Sequence, residues 1–176
     1  MDKIKLIVGL GNPGKEYENT RHNLGFLFVD ALVKHLNAPN FEFNKKLNSE
    51  ISEVRLRIAK PQTFMNKSGQ TVLALIKQFK IKPENILIVH DDIDILWGNF
   101  KLSFGRSSAG HKGVDSIIKS LKTKNFWRLR IGIQPTLKKH VRAEKIILKK
   151  ITPTELKTLN ATIKKAIPTS VETALT

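Results

Sequence analysis

Apolar residues recur along this chain at two different spacings, and the alternation between them predicts the fold. Ile4, Leu6, Ile7 and Val8 are a short apolar run, the mark of a buried strand. From Leu24 to Leu36 the apolar positions take helical spacing. Asn37 to Asn40, with Pro39, is a break. Phe41 to Phe43 reads as a short strand, and Ile51 to Ala59 alternates through Val54, Leu56 and Ile58 as a half-buried one. A helix starting at Ser68 or Gly69 carries the stripe Val72, Leu75, Ile76 and Phe79. Ile86 to Val89 is continuously apolar, as a central strand covered on both faces should be, and it ends in His90, Asp91, Asp92 and Asp94. Phe100 to Phe104 and Trp127 to Ile133 add two strands, with a helix built on Val114, Ile117, Ile118 and Leu121 between them. Val141 to Lys150 reads as a basic helix. Thr152-Pro153-Thr154-Glu155 is a capping box with proline at the first helical position. It opens a final helix with Leu156, Leu159 and Ile163 inward, and the chain from Pro168 is expected to be loosely held. Strands alternating with helices predict an α/β fold. One domain spans 1–176, with a mixed, mostly parallel central sheet, helices on both faces and a basic helical part from about residue 140.

The polar stretches between these elements carry the candidate chemistry. Gly9 to Asn23, GLGNPGKEYENTRHN, joins the first strand to the first helix. Three glycines and Pro13 force a tight turn there, expected to lift Asn12, Tyr17, Arg21, His22 and Asn23 out of the core. Gly9, Gly11 and Gly14 match the dinucleotide fingerprint, but the surroundings do not. The ribose-binding acid should end a second strand about 20 residues on. The nearest candidate, Asp30, falls inside the helix, placed to pair with Lys34. Pro13 also removes an amide that a pyrophosphate would use. The segment Gln62 to Asn66 and the flexible loop Gly105 to Gly113 are further irregular stretches. Parallel strands share a carboxyl edge, and this one receives Asn12, Asn66 and Asp91, with His22 and His111 arriving from the two glycine-containing loops.

Composition narrows the partners. The chain has 176 residues and no cysteine, which excludes disulfides, thiolate nucleophiles and cysteine-ligated zinc. Lys and Arg number 31 against 15 Asp and Glu, a net charge of +16, and so strong a positive field suggests a polyanionic partner. No apolar run reaches membrane-spanning length and no signal peptide opens the chain, so a cytoplasmic protein without a membrane partner is expected.

A histidine with a carboxylate partner and no evident nucleophile suggests water activation. Neutral imidazole would take the proton, while Asp91 holds the tautomer. Each polar residue also has a plain structural role open to it. Asn12 suits a turn, Asn66 and Asp91 suit caps, Phe64 and Met65 suit a core, and Tyr17 suits covering apolar surface. A metal-dependent histidine–aspartate phosphohydrolase site is disfavoured, because such sites sit on helices and His90-Asp91 closes a strand. Ser107 and Ser108 lack the nucleophile-elbow pattern.

Taken together, GLGNPG followed by EYENTRHN, then KPQTFMNKSG, the apolar strand ending HDDID, GHKG before a helix, and FWRLRIGI resemble bacterial peptidyl-tRNA hydrolase from about Lys3 to Ile133. The resemblance extends more weakly through the final helices. It implies a single-domain α/β monomer of mixed sheet that cleaves the ester joining a peptide to the 3′-terminal ribose of tRNA. Such an enzyme recycles peptidyl-tRNA released during translation and needs no metal or nucleotide cofactor. By the same resemblance, His22 is the general base, Asp91 its partner carboxylate, and Asn12 the group that distinguishes blocked from free aminoacyl ends. Tyr17, Phe64 and Asn66 match positions contacting the peptidyl-tRNA end, and Met65 and His111 are expected among the substrate-binding residues beside them. Two departures stand out. Lys112 follows the loop histidine where the family usually has asparagine. Ser103 aligns with a lysine of the 5′-phosphate clamp whose partner is retained as Arg130, leaving Lys101 or Arg106 to supply the charge. Lys101, Arg106, Lys112, Arg128, Arg130, Arg142 and Lys145 then form an expected track for the acceptor-stem backbone. The rival readings are an RNA-binding protein that kept this fold without the reaction, which Lys112 favours, and a dinucleotide-binding oxidoreductase.

Overall fold

The apolar run that opens the chain forms β1 (Leu6–Gly9), buried at every position. After the glycine loop and a 3-10 turn at Arg21–Asn23 comes α1 (Leu24–His35), whose Leu24, Phe28, Val29, Leu32 and Val33 pack inward. Then follow β2 (Glu42–Asn44), β3 (Ser49–Glu53), β4 (Arg57–Pro61) and α2 (Ser68–Gln78). The second half holds β5 (Ile86–Leu96), β6 (Phe100–Phe104), α3 (Lys112–Leu121), β7 (Trp127–Gln134) and α4 (Pro153–Leu175). This computed structural model describes residues 4–135 and 141–175, the last five through their backbone alone.

Among the described residues the strands make one seven-stranded sheet in the order β2-β3-β4-β1-β5-β7-β6. The four central strands, β4, β1, β5 and β7, run parallel. The outer strands β2, β3 and β6 are added antiparallel. Helices cover both faces and seal two cores. On one face, α1 and α4 pack Phe28, Leu32, Leu159 and Ile163 over Ile7, Val89 and Leu129. On the other, α2 and α3 pack Val72, Leu75, Val114 and Ile117 over Leu6, Val8 and Ile88. This is the expected architecture, and it places the carboxyl ends of β1 and β4 beside the middle of β5.

Five local expectations are corrected. The alternating stretch Ile51 to Ala59 is a hairpin of β3 and β4, turned at Val54–Leu56 and clasped by a Glu53–Arg57 ion pair at 2.7 Å. The strand after Ile86 runs on through Leu96, so His90 and Asp91 lie within β5 instead of closing it. Val141 to Lys150 is an irregular strap with a single 3-10 turn at Ala143–Lys145. Its backbone groups bond to the glycine loop, with Arg21 N–H donating to Lys149 O at 3.2 Å and Ile151 N–H to Asn19 O at 2.8 Å. The last helix continues past Pro168, where Ile167 and Ser170 are buried, while Leu156 faces outward at 37% exposure. The capping box is as expected, with Thr152 N–H donating to Glu155 and Glu155 N–H to the Thr152 hydroxyl.

Candidate active site

β1 stops pairing at Gly9, opposite Val89, whereas β5 continues. The edge of β5 beyond that point is open, and the turn leading into α1 fills it. The close approach depends on two glycines. A Cβ on Gly9 would lie 2.3 Å from Gly25 O, and a Cβ on Gly25 would lie 2.3 Å from Leu10 N and 2.4 Å from Val89 O. Gly9 and Gly25 therefore let the helix start press against the end of β1 and the middle of β5, a packing role that explains Gly9 without a bound pyrophosphate. His22, directly ahead of α1, is thereby brought to Asp91, 69 residues away in sequence.

His22 Nδ1 lies 2.9 and 3.0 Å from the two carboxylate oxygens of Asp91. His111 Nε2 lies 2.9 Å from one of them. The hydrogen-bond pattern assigns the ring protons. His111 Nδ1 accepts the Val114 N–H at 3.2 Å as the N-cap of α3, so its proton is on Nε2 and points at Asp91. His22 donates from Nδ1, which leaves its Nε2 as a lone pair. Both histidines and Asp91 line a cavity of about 330 Å³ with Ile93, Gly110, Lys112, Arg142 and Ile147. Burial alone would push the Asp91 carboxyl up; the electrostatic attraction of His22 and His111, and the N–H groups they turn toward it, overcome it and hold Asp91 far below the ordinary carboxylate range.

Asn12 is fixed from both sides. Its Oδ1 accepts the Met65 N–H at 2.7 Å, and its backbone exchanges two hydrogen bonds of 2.9 Å with the Asn23 side chain. Among the described residues the Asn12 Nδ2 group has no acceptor and is left as a donor. Asn23, expected to stand clear of the core with Asn12, Arg21 and His22, is instead buried, as all four are. A clamp that reads its own loop's backbone leaves no sequence signal beyond an asparagine beside a histidine. The His22 backbone N–H is also held, by Ile147 O of the strap at 2.8 Å. Arg21 donates to Lys149 O and Lys150 O and pairs with Glu155, tying the strap to the start of α4.

The remaining candidates spread outward from this centre. Met65 is 3% exposed and spends its side chain in the core. Phe64 is 53% exposed, edge-on to Tyr17 with ring centres 6.1 Å apart, so the pair forms an aromatic surface. Asn66 is exposed and borders a shallow pocket between α2 and α3, with Lys67 and Lys112. Lys112 also borders the His22 cavity, so it bridges the two. Lys101 pairs directly across from Arg130 in the β6–β7 register, which puts both on one face. Arg130 bonds Asp92 at 2.7 Å, and Arg106 is exposed on the loop. Asp30 meets Lys60 at 2.9 Å instead of Lys34. Arg128, expected among the phosphate contacts, is buried at 2% exposure and cannot lie on a surface track.

His22, Asp91 and His111 offer three ligand atoms within 4.8 Å of one another. Their proton pattern does not suit a metal. Ligation through His111 Nε2 would move its proton to Nδ1, where the Val114 N–H already points.

Among the described residues no helix is long and apolar enough to cross a membrane. A family model for peptidyl-tRNA hydrolase matches residues 6–176. A peptidyl-tRNA hydrolase of Aquifex aeolicus is 47% identical over 169 residues, covering 93% of this chain and 86% of the relative. One from Neisseria meningitidis is 49% identical over 135 residues, 74% of this chain and 70% of that one. The crystal structure of peptidyl-tRNA hydrolase from Acinetobacter baumannii superposes with a TM-score of 0.89 at 36% identity, covering 99% of this chain and 90% of that chain. A match over nearly the full length in sequence and in fold, on a sheet edge that joins His22 to Asp91, shows that the chain belongs to the peptidyl-tRNA hydrolase family.

Proposed function

We propose that this protein hydrolyses the ester between a peptide, or an N-blocked aminoacyl group, and the 3′-terminal ribose of tRNA, with His22 as general base. The observation that carries the reading is the His22–Asp91 contact across 69 residues of chain. Asp91 fixes the imidazole with its proton on Nδ1, and Nε2 takes a proton from water as the oxygen attacks the ester carbonyl. The resulting imidazolium is stabilised by Asp91 and returns the proton to the departing ribose 3′ oxygen. The products are the peptide acid and tRNA with a free 3′ hydroxyl. The free Asn12 amide is suited to reading the blocked amino group, and Asn66 to polarising the carbonyl or placing the water. The Tyr17–Phe64 surface offers the 3′ CCA end a stacking platform. Arg130, Lys101, Arg106, Lys112, Arg142 and Lys145 supply cations for the acceptor-stem phosphates, consistent with a net charge of +16. A single-domain monomer acting in the cytoplasm without metal completes the proposal.

The test is release of N-acetyl-aminoacyl groups from tRNA, with and without chelator, beside an unblocked aminoacyl-tRNA. Chelator-insensitive release from the blocked substrate alone supports the reading. Equal cleavage of both substrates, or none of either, rejects it.

A further inference from the structure

Arg128 sits in β7 with its guanidinium enclosed, and its surroundings are unusual for a buried cation. Its neighbour Arg130 has Asp92 as an ion-pair partner; among the described residues no carboxylate pairs with Arg128. Burial, and after it the Arg130 charge, pulls the Arg128 guanidinium down to about 10, so it remains charged at neutral pH. An enclosed charge that feels Asp92 only at a distance, with that carboxylate committed to Arg130, is costly and must be held by good acceptors. Arg128 has two. Its NH2 group donates to Ser107 O at 2.8 Å, and its NH1 group faces His90 Nε2 at 3.4 Å. His90 is fully buried, donates from Nδ1 to Asp91 O at 2.6 Å, and packs edge-on against His111 with ring centres 4.6 Å apart.

Ser107 belongs to the loop that delivers His111 to Asp91. That loop carries three left-handed residues, Gly105, Ala109 and Gly110, and Ala109 has φ of +49°. A residue with a side chain is strained in that region, and such a conformation persists only where its surroundings impose it. The Arg128 tether falls two residues before Ala109. The other end is tied by His111 itself, through Asp91 and through the helix cap.

We propose that Arg128 is a positioning residue for the reaction, holding the Ser107 carbonyl and His90 together so that His111 is presented to Asp91. It does not touch tRNA. This rests on the ester-hydrolysis reading for its catalytic consequence, but the anchoring itself can be read without turnover.

The experiment compares wild type, Arg128→Met and Arg128→Lys. It measures kcat and KM on N-acetyl-aminoacyl-tRNA, tRNA affinity at matched salt, and hydrogen exchange of the His111 amide, which donates to Ser108 O at 3.0 Å. Arg128→Met is expected to lower kcat about 10- to 100-fold, the cost of misplacing a catalytic constellation by roughly an ångström. Its tRNA affinity stays within about twofold while His111 exchange accelerates. Lysine can reach one of the two acceptors, so Arg128→Lys falls between the two. Loss confined to KM and tRNA affinity overturns the proposal, because that is the signature of a phosphate contact. So does retained kcat, or lost kcat with unchanged exchange. Should Arg128→Met fail to fold, Arg128→Lys decides on the same readouts. If wild type releases no N-acetyl-aminoacyl group, the ester reading fails while the exchange comparison still tests the tether.

Discussion

Asp91 accepts hydrogen bonds from two imidazoles and is 2% exposed, so its oxygens have little water to fall back on. Asp91→Asn retains the shape but offers an amide where a carboxylate held a tautomer. The expected result is a fall in kcat on the order of 10²–10⁴-fold with substrate affinity little changed, measured by single-turnover hydrolysis. His90 makes a separate prediction about stability. Burial, reinforced by His111 and Arg128, holds it neutral well below the ordinary histidine range. The unfolded chain binds this proton below about pH 6.5 and the folded chain does not, so stability rises with pH across that window. Denaturant titrations should therefore show a loss approaching 1.4 kcal/mol per pH unit on acidification below about 6.5, and His90→Gln should remove that component. A pH-independent difference between the two proteins contradicts this assignment. Asp91 is legible in the sequence because it follows an apolar run, and His22 because the glycine loop after another such run delivers it to the same sheet margin. Arg128 is not. Two arginines at alternate positions of one strand look alike until packing shows one against Asp92 and the other under a loop.

At the scale of elements, the site is held by close packing and by a strap. The start of α1 touches β1 and β5 so closely that Gly25→Ala has no room for its methyl group. Overpacking of this kind costs about 1–3 kcal/mol and shifts backbone. Gly25→Ala is expected to lower the midpoint of thermal unfolding and to reduce activity more than an equally destabilising change in α2. Activity loss no greater than in that control shows that the α1 contact does not position His22. The strap contributes through Ile147 O on the His22 amide and through Arg21, which reaches Glu155 inside the capping box of α4. Thr152→Ala removes the cap hydroxyl and should cost about 1 kcal/mol by chemical denaturation. The sequence marked that cap correctly, because capping boxes are local. The strap reads in sequence as a basic helix, but tertiary hydrogen bonds to the glycine loop take its backbone groups, and no local pattern announces them. The β3–β4 hairpin was missed for a related reason. Its turn has no glycine or proline, and Val54 sits exposed in it.

For the whole molecule, the sheet gathers carboxyl ends from β1, β4 and the open edge of β5, and a net charge of +16 surrounds the result. The account expects tRNA affinity to fall steeply with salt, log K dropping by about 0.9 per duplex phosphate neutralised. Arg130→Ala should weaken tRNA binding and flatten that slope by about one contact, while cleavage of a minimal acylated nucleotide is little affected. Equal losses on both substrates place Arg130 in support of the site through Asp92. The central claim is the single imidazole that takes a proton from water. Its most direct test is kcat of His22→Ala on N-acetyl-aminoacyl-tRNA at saturating substrate, with unfolding temperature and tRNA affinity measured on the same preparation. A folded, tRNA-binding protein whose kcat has fallen on the order of 10²–10⁴-fold is the predicted result. Turnover within a few-fold of wild type would contradict the account.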